Sequence, residues 1–230
     1  MFHAAFSPDG KLLALADGSE VSVWDVESGK SLHDFGHTYA IWTVAFAPDG
    51  KTLASGAAYT DPVARLWDPL TGRLKASLRG HSKGIEEVAY SPDGKLLATG
   101  SQDGTVRLWD AAAGKELRKL EANDGMVYTL AFSPDGKVLA TGGRTHIHFW
   151  DPATGDRLRS VKSPGGLLIT MLFTPDGRTL VTRAANESKL RVWDVAAGRL
   201  TREIGVSEGS LSPDGRWLAV GDSKTGTVQI

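Results

Sequence analysis

The segment from Gly80 to Leu120 reads GHSKGIEEVAYSPDGKLLATGSQDGTVRLWDAAAGKELRKL, and its punctuation decides the fold. Ile85 to Tyr90 is rich in β-branched and aromatic residues and predicts a strand. Ser91-Pro92-Asp93-Gly94 predicts a tight turn: proline presets its own backbone angle, aspartate bonds the nearby backbone, and glycine accepts the left-handed conformation. Leu96 to Thr99 follows as a second strand and Gln102-Asp103-Gly104 as the next turn. Thr105 to Trp109 alternates, with Val106 and Leu108 on one face and Arg107 and Trp109 on the other. Ala113-Gly114-Lys115 turns the chain into a fourth strand, Glu116 to Leu120. The unit is one sheet of four short antiparallel strands.

The same punctuation recurs along the whole chain. Pro-Asp-Gly occurs six times, at Pro8, Pro48, Pro92, Pro134, Pro175 and Pro213, at intervals of 40, 44, 42, 41 and 38 residues. Trp-Asp occurs five times, at Trp24, Trp67, Trp109, Trp150 and Trp193, at intervals of 43, 42, 41 and 43 residues. Two markers that keep one order and nearly one period define an internal repeat. A single sheet of this kind has two apolar faces and cannot bury both alone. Stacking copies face to face around an axis solves the problem. Glycines and prolines interrupt the chain every ten residues or so, which excludes helical repeats.

The ordered Gly-His, Ser-Pro-Asp-Gly and Trp-Asp motifs resemble those of the WD-repeat β-propeller family, from Phe2 to Ile230. The fold expected from that resemblance is an all-β propeller of six repeats with four-stranded antiparallel blades, forming a single domain over residues 1–230. The last repeat stops where Trp-Asp should follow, so its blade is expected to lack the outer strand. The chain is then best read as part of a larger propeller or multidomain protein, the alternative being a six-bladed ring that ends in a three-stranded blade. An unpaired third strand would offer an edge for self-association. The regular repeats also look like recently amplified units of bacterial origin.

The resemblance implies a buried hydrogen-bonded tetrad in each well-formed repeat: a histidine before the first strand, a serine or threonine on the second, an aspartate in the following turn, and the tryptophan. His37, Ser55, Asp61 and Trp67 match it, as do His81, Thr99, Asp103 and Trp109. Histidine, serine and aspartate also describe a hydrolase triad. Repetition in consecutive units beside a tryptophan, without a glycine-flanked nucleophile, argues for structure instead. The fourth repeat has Asn123 and Arg144 at the histidine and aspartate positions. The fifth has Pro164 and Glu187, and the first has Leu15 at the hydroxyl position. Those repeats are expected to rely on apolar packing, with Glu187→Ala of no consequence. His146 and His148 alternate on one strand, but no third ligand lies nearby, so they read as surface or edge residues and no metal is expected.

The resemblance further implies partner contacts six residues before each Pro-Asp-Gly proline, at Phe2, Trp42, Glu86, Tyr128, Ile169 and Ser207. Aromatic residues there suit a protein or peptide partner, and Glu86 suits a basic side chain on it. The function expected is therefore a non-catalytic interaction scaffold without a cofactor. A propeller that regulates a larger enzyme such as a kinase is the alternative. A catalytic or ligand-binding channel would need inward-facing ionisable residues, whereas the first strands show mainly Ala, Val and Phe.

Composition agrees with this reading. The chain has 230 residues, 41% hydrophobic and 23% charged, with 26 basic and 27 acidic residues and a net charge of -1. That balance gives no electrostatic reason to expect nucleic acid or an anionic membrane as partner. The absence of cysteine excludes disulfides and a thiol nucleophile within these residues. No apolar run is long enough for a membrane helix and no signal peptide is recognisable, which suggests the cytoplasm.

Overall fold

A computed structural model of the chain describes residues 3–58, 61–122, 125–205, 208–211, 218–222 and 227–229, with the backbone alone described from 208 onward. Its strands pair in sequence order into antiparallel sheets. Sheet 1 comprises β1 (His3–Phe6), β2 (Leu12–Asp17), β3 (Glu20–Asp25) and β4 (Lys30–Gly36). Sheet 2 comprises β5 (Ile41–Phe46), β6 (Leu53–Ala57), β7 (Val63–Trp67) and β8 (Leu74–Arg79). Sheet 3 comprises β9 (Ile85–Tyr90), β10 (Leu96–Ser101), β11 (Thr105–Asp110) and β12 (Lys115–Glu121). Sheet 4 comprises β13 (Thr129–Phe132), β14 (Leu139–Gly142), β15 (His146–Trp150) and β16 (Arg157–Lys162). Sheet 5 comprises β17 (Leu168–Phe173), β18 (Thr179–Ala184), β19 (Leu190–Asp194) and β20 (Arg199–Ile204). Sheet 6 has three described strands, β21 (Glu208–Leu211), β22 (Leu218–Asp222) and β23 (Thr227–Gln229). Two compact units result, Met1–Val127 with sheets 1 to 3 and Tyr128–Ile230 with sheets 4 to 6.

Local chemistry fixes each corner. In sheet 3 the Ser91 hydroxyl donates to Asp93 Oδ1 at 2.7 Å and accepts the Leu96 N–H at 2.9 Å, while Asp93 Oδ1 takes the Lys95 N–H at 3.1 Å. Gly94, at φ 70°, supplies the left-handed residue that lets the strand reverse. Ser7, Ser133 and Thr174 hold the equivalent turns with the same bonds to Asp9, Asp135 and Asp176.

The third and fourth strands share a defect with a purpose. Register shifts between Leu108 and Trp109, and again immediately before Trp24, Trp67, Trp150 and Trp193. In sheet 3, Leu108 pairs with Arg118 and Trp109 with Glu116, so Leu117 is the extra residue of a bulge on the outer strand. The bulge residues Leu32, Leu117 and Leu158 are consequently among the exposed leucines.

Neighbouring sheets within each unit pack face to face. Leu12, Ala14, Ala16, Val21 and Val23 of sheet 1 form one cluster with Ile41, Val44, Leu53 and Trp67 of sheet 2. Ala54, Ala64, Leu66 and Leu78 of sheet 2 meet Ile85, Val88, Leu97 and Trp109 of sheet 3 in the same way. In the second unit Ala140, Ile147 and Phe149 of sheet 4 meet Leu168, Met171, Leu180 and Trp193 of sheet 5. The rule is constant: small aliphatic residues of one sheet cover the leucine and tryptophan of the next. Contact is close enough that a Cβ on Gly56 would sit 2.5 Å from Ile85 Cγ2.

Candidate functional site

Both tetrads named from the sequence are hydrogen-bonded chains within the first unit. In sheet 3 the Trp109 indole donates to Thr99 Oγ1 at 2.9 Å, Thr99 Oγ1 lies 2.8 Å from His81 Nε2, and His81 Nδ1 lies 3.0 Å from Asp103 Oδ2. A neutral imidazole with its proton on Nδ1 satisfies every member. Asp103 also takes the Thr105 hydroxyl at 2.6 Å and the Ser82 N–H at 2.9 Å. Burial alone would raise the pKa of Asp103, but the bonds from His81, Thr105 and Ser82 outweigh it and hold the carboxyl well below the usual range. In sheet 2 the Trp67 indole donates to Ser55 Oγ at 2.8 Å, Ser55 Oγ lies 2.7 Å from His37 Nε2, and His37 Nδ1 lies 3.0 Å from Asp61 Oδ2. Arg65 joins this set and donates to Asp61 at 2.7 Å. Burial first, and the Arg65 charge second, push the pKa of His37 down to about 4.

Of the contact positions expected at the start of the first strands, Phe2 and Ser207 lie outside the described residues. Trp42 and Glu86 occupy equivalent places on β5 and β9, neighbouring strands of the first unit, and both are half-buried. The residues flanking them, Ile41, Thr43 and Ile85, are buried. Glu86 Oε1 accepts the Gln102 side-chain N–H at 2.8 Å, and burial, partly offset by that bond, raises its pKa. In the second unit Tyr128 and Ile169 are likewise half-buried.

The next residue along each first strand carries chemistry that the sequence reading passed over. Val88 N–H donates to Thr43 Oγ1 at 3.2 Å, and Thr43 Oγ1 donates to Glu87 Oε1 at 2.9 Å, so side chain and backbone lock β5 to β9. One repeat earlier, Val44 N–H donates to His3 Nδ1 at 3.3 Å. Each acceptor stands five residues before a Pro-Asp-Gly proline, a polar position in a strand otherwise described as Ala, Val and Phe. Burial is the main reason the Glu87 carboxyl is pushed up to about 7; Thr43 and the Val88 N–H oppose the shift and Glu86 adds to it.

With this geometry in view, comparison with known proteins is decisive. The family profile described as "WD domain, G-beta repeat" matches residues 29–68, 72–110 and 114–151, together just over half of the chain. The chain belongs to the WD-repeat family. It is similar to the human intraflagellar transport protein 122 homolog, 41% identical over 76 residues, which is 33% of this chain and 6% of that protein. It also resembles eukaryotic translation initiation factor 3 subunit I of Neurospora crassa, 39% identical over 71 residues, or 30% of this chain and 20% of that one. An uncharacterized WD repeat-containing protein of Synechocystis is 37% identical over 75 residues, 32% of this chain and 21% of its own length. A chain in a solved structure described as "Crystal Structure of Mitotic Checkpoint Complex" superposes with a TM-score of 0.85 and 26% identity over 96% of this chain and 74% of that one. The fold is an all-β propeller of WD repeats.

Three WD repeats depart from the tetrad, and two do so differently from the sequence reading. In the fifth repeat the expectation of apolar packing around an inert Glu187 is overturned. Arg191 on β19 is buried, and its guanidinium pairs with Glu187 Oε2 at 2.5 Å and Glu203 Oε1 at 2.9 Å. The hydrogen bond that Arg191 donates to Glu187, opposed by burial and reinforced by Glu203, raises the pKa of Arg191. In the first repeat Leu15 offers no acceptor, and the Trp24 indole donates instead to Ser22 on its own strand at 2.8 Å. The fourth repeat keeps the bond from Trp150 to Thr141, at 2.9 Å. His148 corrects another expectation: it is buried, not at a surface or edge, with its ring between those of His146 and Trp150 at 5.8 and 5.9 Å. Among the described residues no group of three potential ligands is placed to hold a metal, and no helix is long and apolar enough to cross a membrane.

Proposed function

We propose that this chain is a non-catalytic interaction module whose six repeats over residues 1–230 present one protein or peptide partner with the ends of the first strands near the histidine-bearing loops. The observation that carries the reading is the placement of Trp42 and Glu86. Both are half-buried at equivalent points of adjacent strands, Trp42 between the buried Ile41 and Thr43 and Glu86 next to the buried Ile85. An indole beside a carboxylate suits an apolar side chain and a basic group of a partner segment. Phe2, Tyr128 and Ile169 extend the candidate set. The relatives' names fit a scaffold, since an initiation-factor subunit and a chain of a checkpoint complex are parts of assemblies. Each histidine, hydroxyl and aspartate set is, in this reading, a structural staple, because its hydroxyl is already spent on the tryptophan. A cytoplasmic setting belongs to the same proposal. The regularity of the repeats and the Synechocystis relative support a bacterial origin.

Two variants test it. Trp42→Ala combined with Glu86→Gln is expected to abolish recovery of the physiological partner in affinity purification while the thermal melt stays close to wild type. Trp109→Ala is expected to lower the melting temperature strongly, since removing a buried tryptophan costs about 3–5 kcal/mol. Equal destabilisation by Trp42→Ala and Trp109→Ala would assign Trp42 to the core and end the proposal.

A further inference from the structure

The turn between the third and fourth strands of sheet 2, Asp68-Pro69-Leu70-Thr71-Gly72, departs from its counterparts at one position. Where sheet 2 has Leu70, sheets 3, 4 and 5 have Ala112, Ala153 and Ala196, and sheet 1 has Glu27. Leu70 is 64% exposed, more than any other large apolar side chain among the described residues. Its backbone is nonetheless held firmly. The Leu70 N–H donates to Asp68 Oδ1 at 3.0 Å, and His33 Nε2 of sheet 1 donates to the Leu70 carbonyl at 2.6 Å. An apolar side chain fixed in water on a rigid turn loses little freedom when a partner covers it.

Leu70 lines a groove of about 790 Å³ between sheets 1 and 2, together with Leu12, Leu32, Pro8 and Pro48. Leu32, the bulge residue of β4, is a second exposed leucine there. The charge fixed around these side chains is negative. Asp9, Asp25 and Asp49 each accept bonds from their own turns through Oδ1, which leaves Oδ2 to a partner. Lys75 is already engaged, since its ammonium donates to the Lys51 carbonyl and Thr52 Oγ1 and lies 4.0 Å from Asp68. Lys11 and Lys51 are exposed, on long side chains that can turn into solvent. We propose that this groove is a second interaction surface, taking an extended segment of a partner protein in which a large apolar side chain stands next to an arginine or lysine. Burial of Leu70 and Leu32 supplies the driving force, and the fixed carboxylates select the basic neighbour. The inference is independent of the contact at Trp42 and Glu86. Those residues stand where β5 and β9 begin, whereas the groove lies where β1 and β5 run out into Pro8 and Pro48.

Selection of random peptides displayed on phage tests it, with the full chain as bait and its Leu70→Ala variant as counter-bait. Leu70→Ala installs the residue that sheets 3, 4 and 5 carry at this point, so its thermal melt is expected to match wild type. Clones kept by the wild type and lost by the variant are expected to share a basic residue next to a large apolar one. A synthetic peptide of that consensus, followed by fluorescence anisotropy, is expected to bind Leu70→Ala about tenfold more weakly. Asp9→Asn combined with Asp25→Asn keeps the acceptors for both turns and removes two charges, and is expected to weaken binding about threefold or more. Trp42→Ala combined with Glu86→Gln is expected to bind the peptide as wild type does. The proposal is overturned by a selection that yields no clone dependent on Leu70, or by a consensus without a basic residue. Affinity unchanged by the two asparagines overturns it as well, as does an equal loss in the Trp42 and Glu86 variant. A large fall in the melting temperature of Leu70→Ala would assign Leu70 to packing and have the same result.

Discussion

Glu87 shows how much a single position can hold. Its carboxyl shares a hydrogen with Thr43 across two sheets in surroundings that favour the neutral acid. Its folded-state pKa lies above the unfolded one, so the stabilisation is complete below the unfolded value, about 4.3, and fades as pH rises through about 7. Glu87→Gln keeps an amide that can accept the Thr43 hydroxyl and removes the titration. The variant is expected to melt several degrees above wild type at pH 8 and close to it at pH 4, read by calorimetry at both pH values. Glu187 makes the complementary point. It neutralises a buried guanidinium, and removing one partner of such a pair leaves a charge stranded. Glu187→Ala is therefore expected to lower stability by about 1–3 kcal/mol, with Glu203 limiting the loss, as measured by urea unfolding. An unchanged midpoint would show that Glu203 alone satisfies Arg191.

At the scale of strands and sheets, the repeat was legible because its signals are local. Pro-Asp-Gly turns, alternating Val106 and Leu108, and Trp-Asp each act within a few residues, and the strands of sheet 3 match their expected limits to within one or two residues. The outer-strand bulge was not legible. Counting alternation along β11 sees no defect, since the extra residue, Leu117, lies on β12. The replacement of the fifth tetrad was hidden for a similar reason. Glu187 and Arg191 are close in sequence, but Glu203 belongs to a strand that reaches Arg191 only through pairing of β19 with β20. Nor does the sequence reveal how near neighbouring sheets approach. Gly56 on β6 leaves no space for a methyl group against Ile85 and Thr43. Gly56→Ala is expected to cost about 1–3 kcal/mol through overpacking, in contrast to the usual gain from adding a Cβ to a strand glycine. Chemical denaturation of the variant checks the sign, and a stabilised protein would mean that Ile85 yields freely.

Across the molecule the ionisable groups that resist protonation are unevenly distributed. Of the groups held below their ordinary pKa away from the exposed turns, His37, Asp61 and Asp103 belong to sheets 2 and 3 or the loops that lead into them and His3 to sheet 1. The turn aspartates Asp9, Asp135 and Asp176, lowered by their serine or threonine and backbone bonds, face solvent. Sheet 4 retains of the tetrad the neutral bond between Trp150 and Thr141, and sheet 5 is centred on a guanidinium that stays charged at any pH of interest. Glu203 is also lowered, but it faces solvent, where screening leaves little energy in the shift. A group with a depressed folded pKa stabilises the fold above its unfolded pKa and loses that contribution as pH falls towards the folded value. For His37 the window runs from about 6.5 down to about 4, and for Asp103 it opens below about 4. Acid should therefore loosen the sheets unequally. Amide hydrogen exchange at pH 4.5, corrected for intrinsic rates against pH 7, is expected to speed up most in β6, β7 and the loop before β5, and less in β14, β15, β18 and β19. His37→Gln, which preserves a hydrogen-bonding side chain without the titration, should remove most of that difference. Uniform acceleration through sheets 1 to 5, unaltered by the substitution, would show instead that general charge repulsion governs acid unfolding.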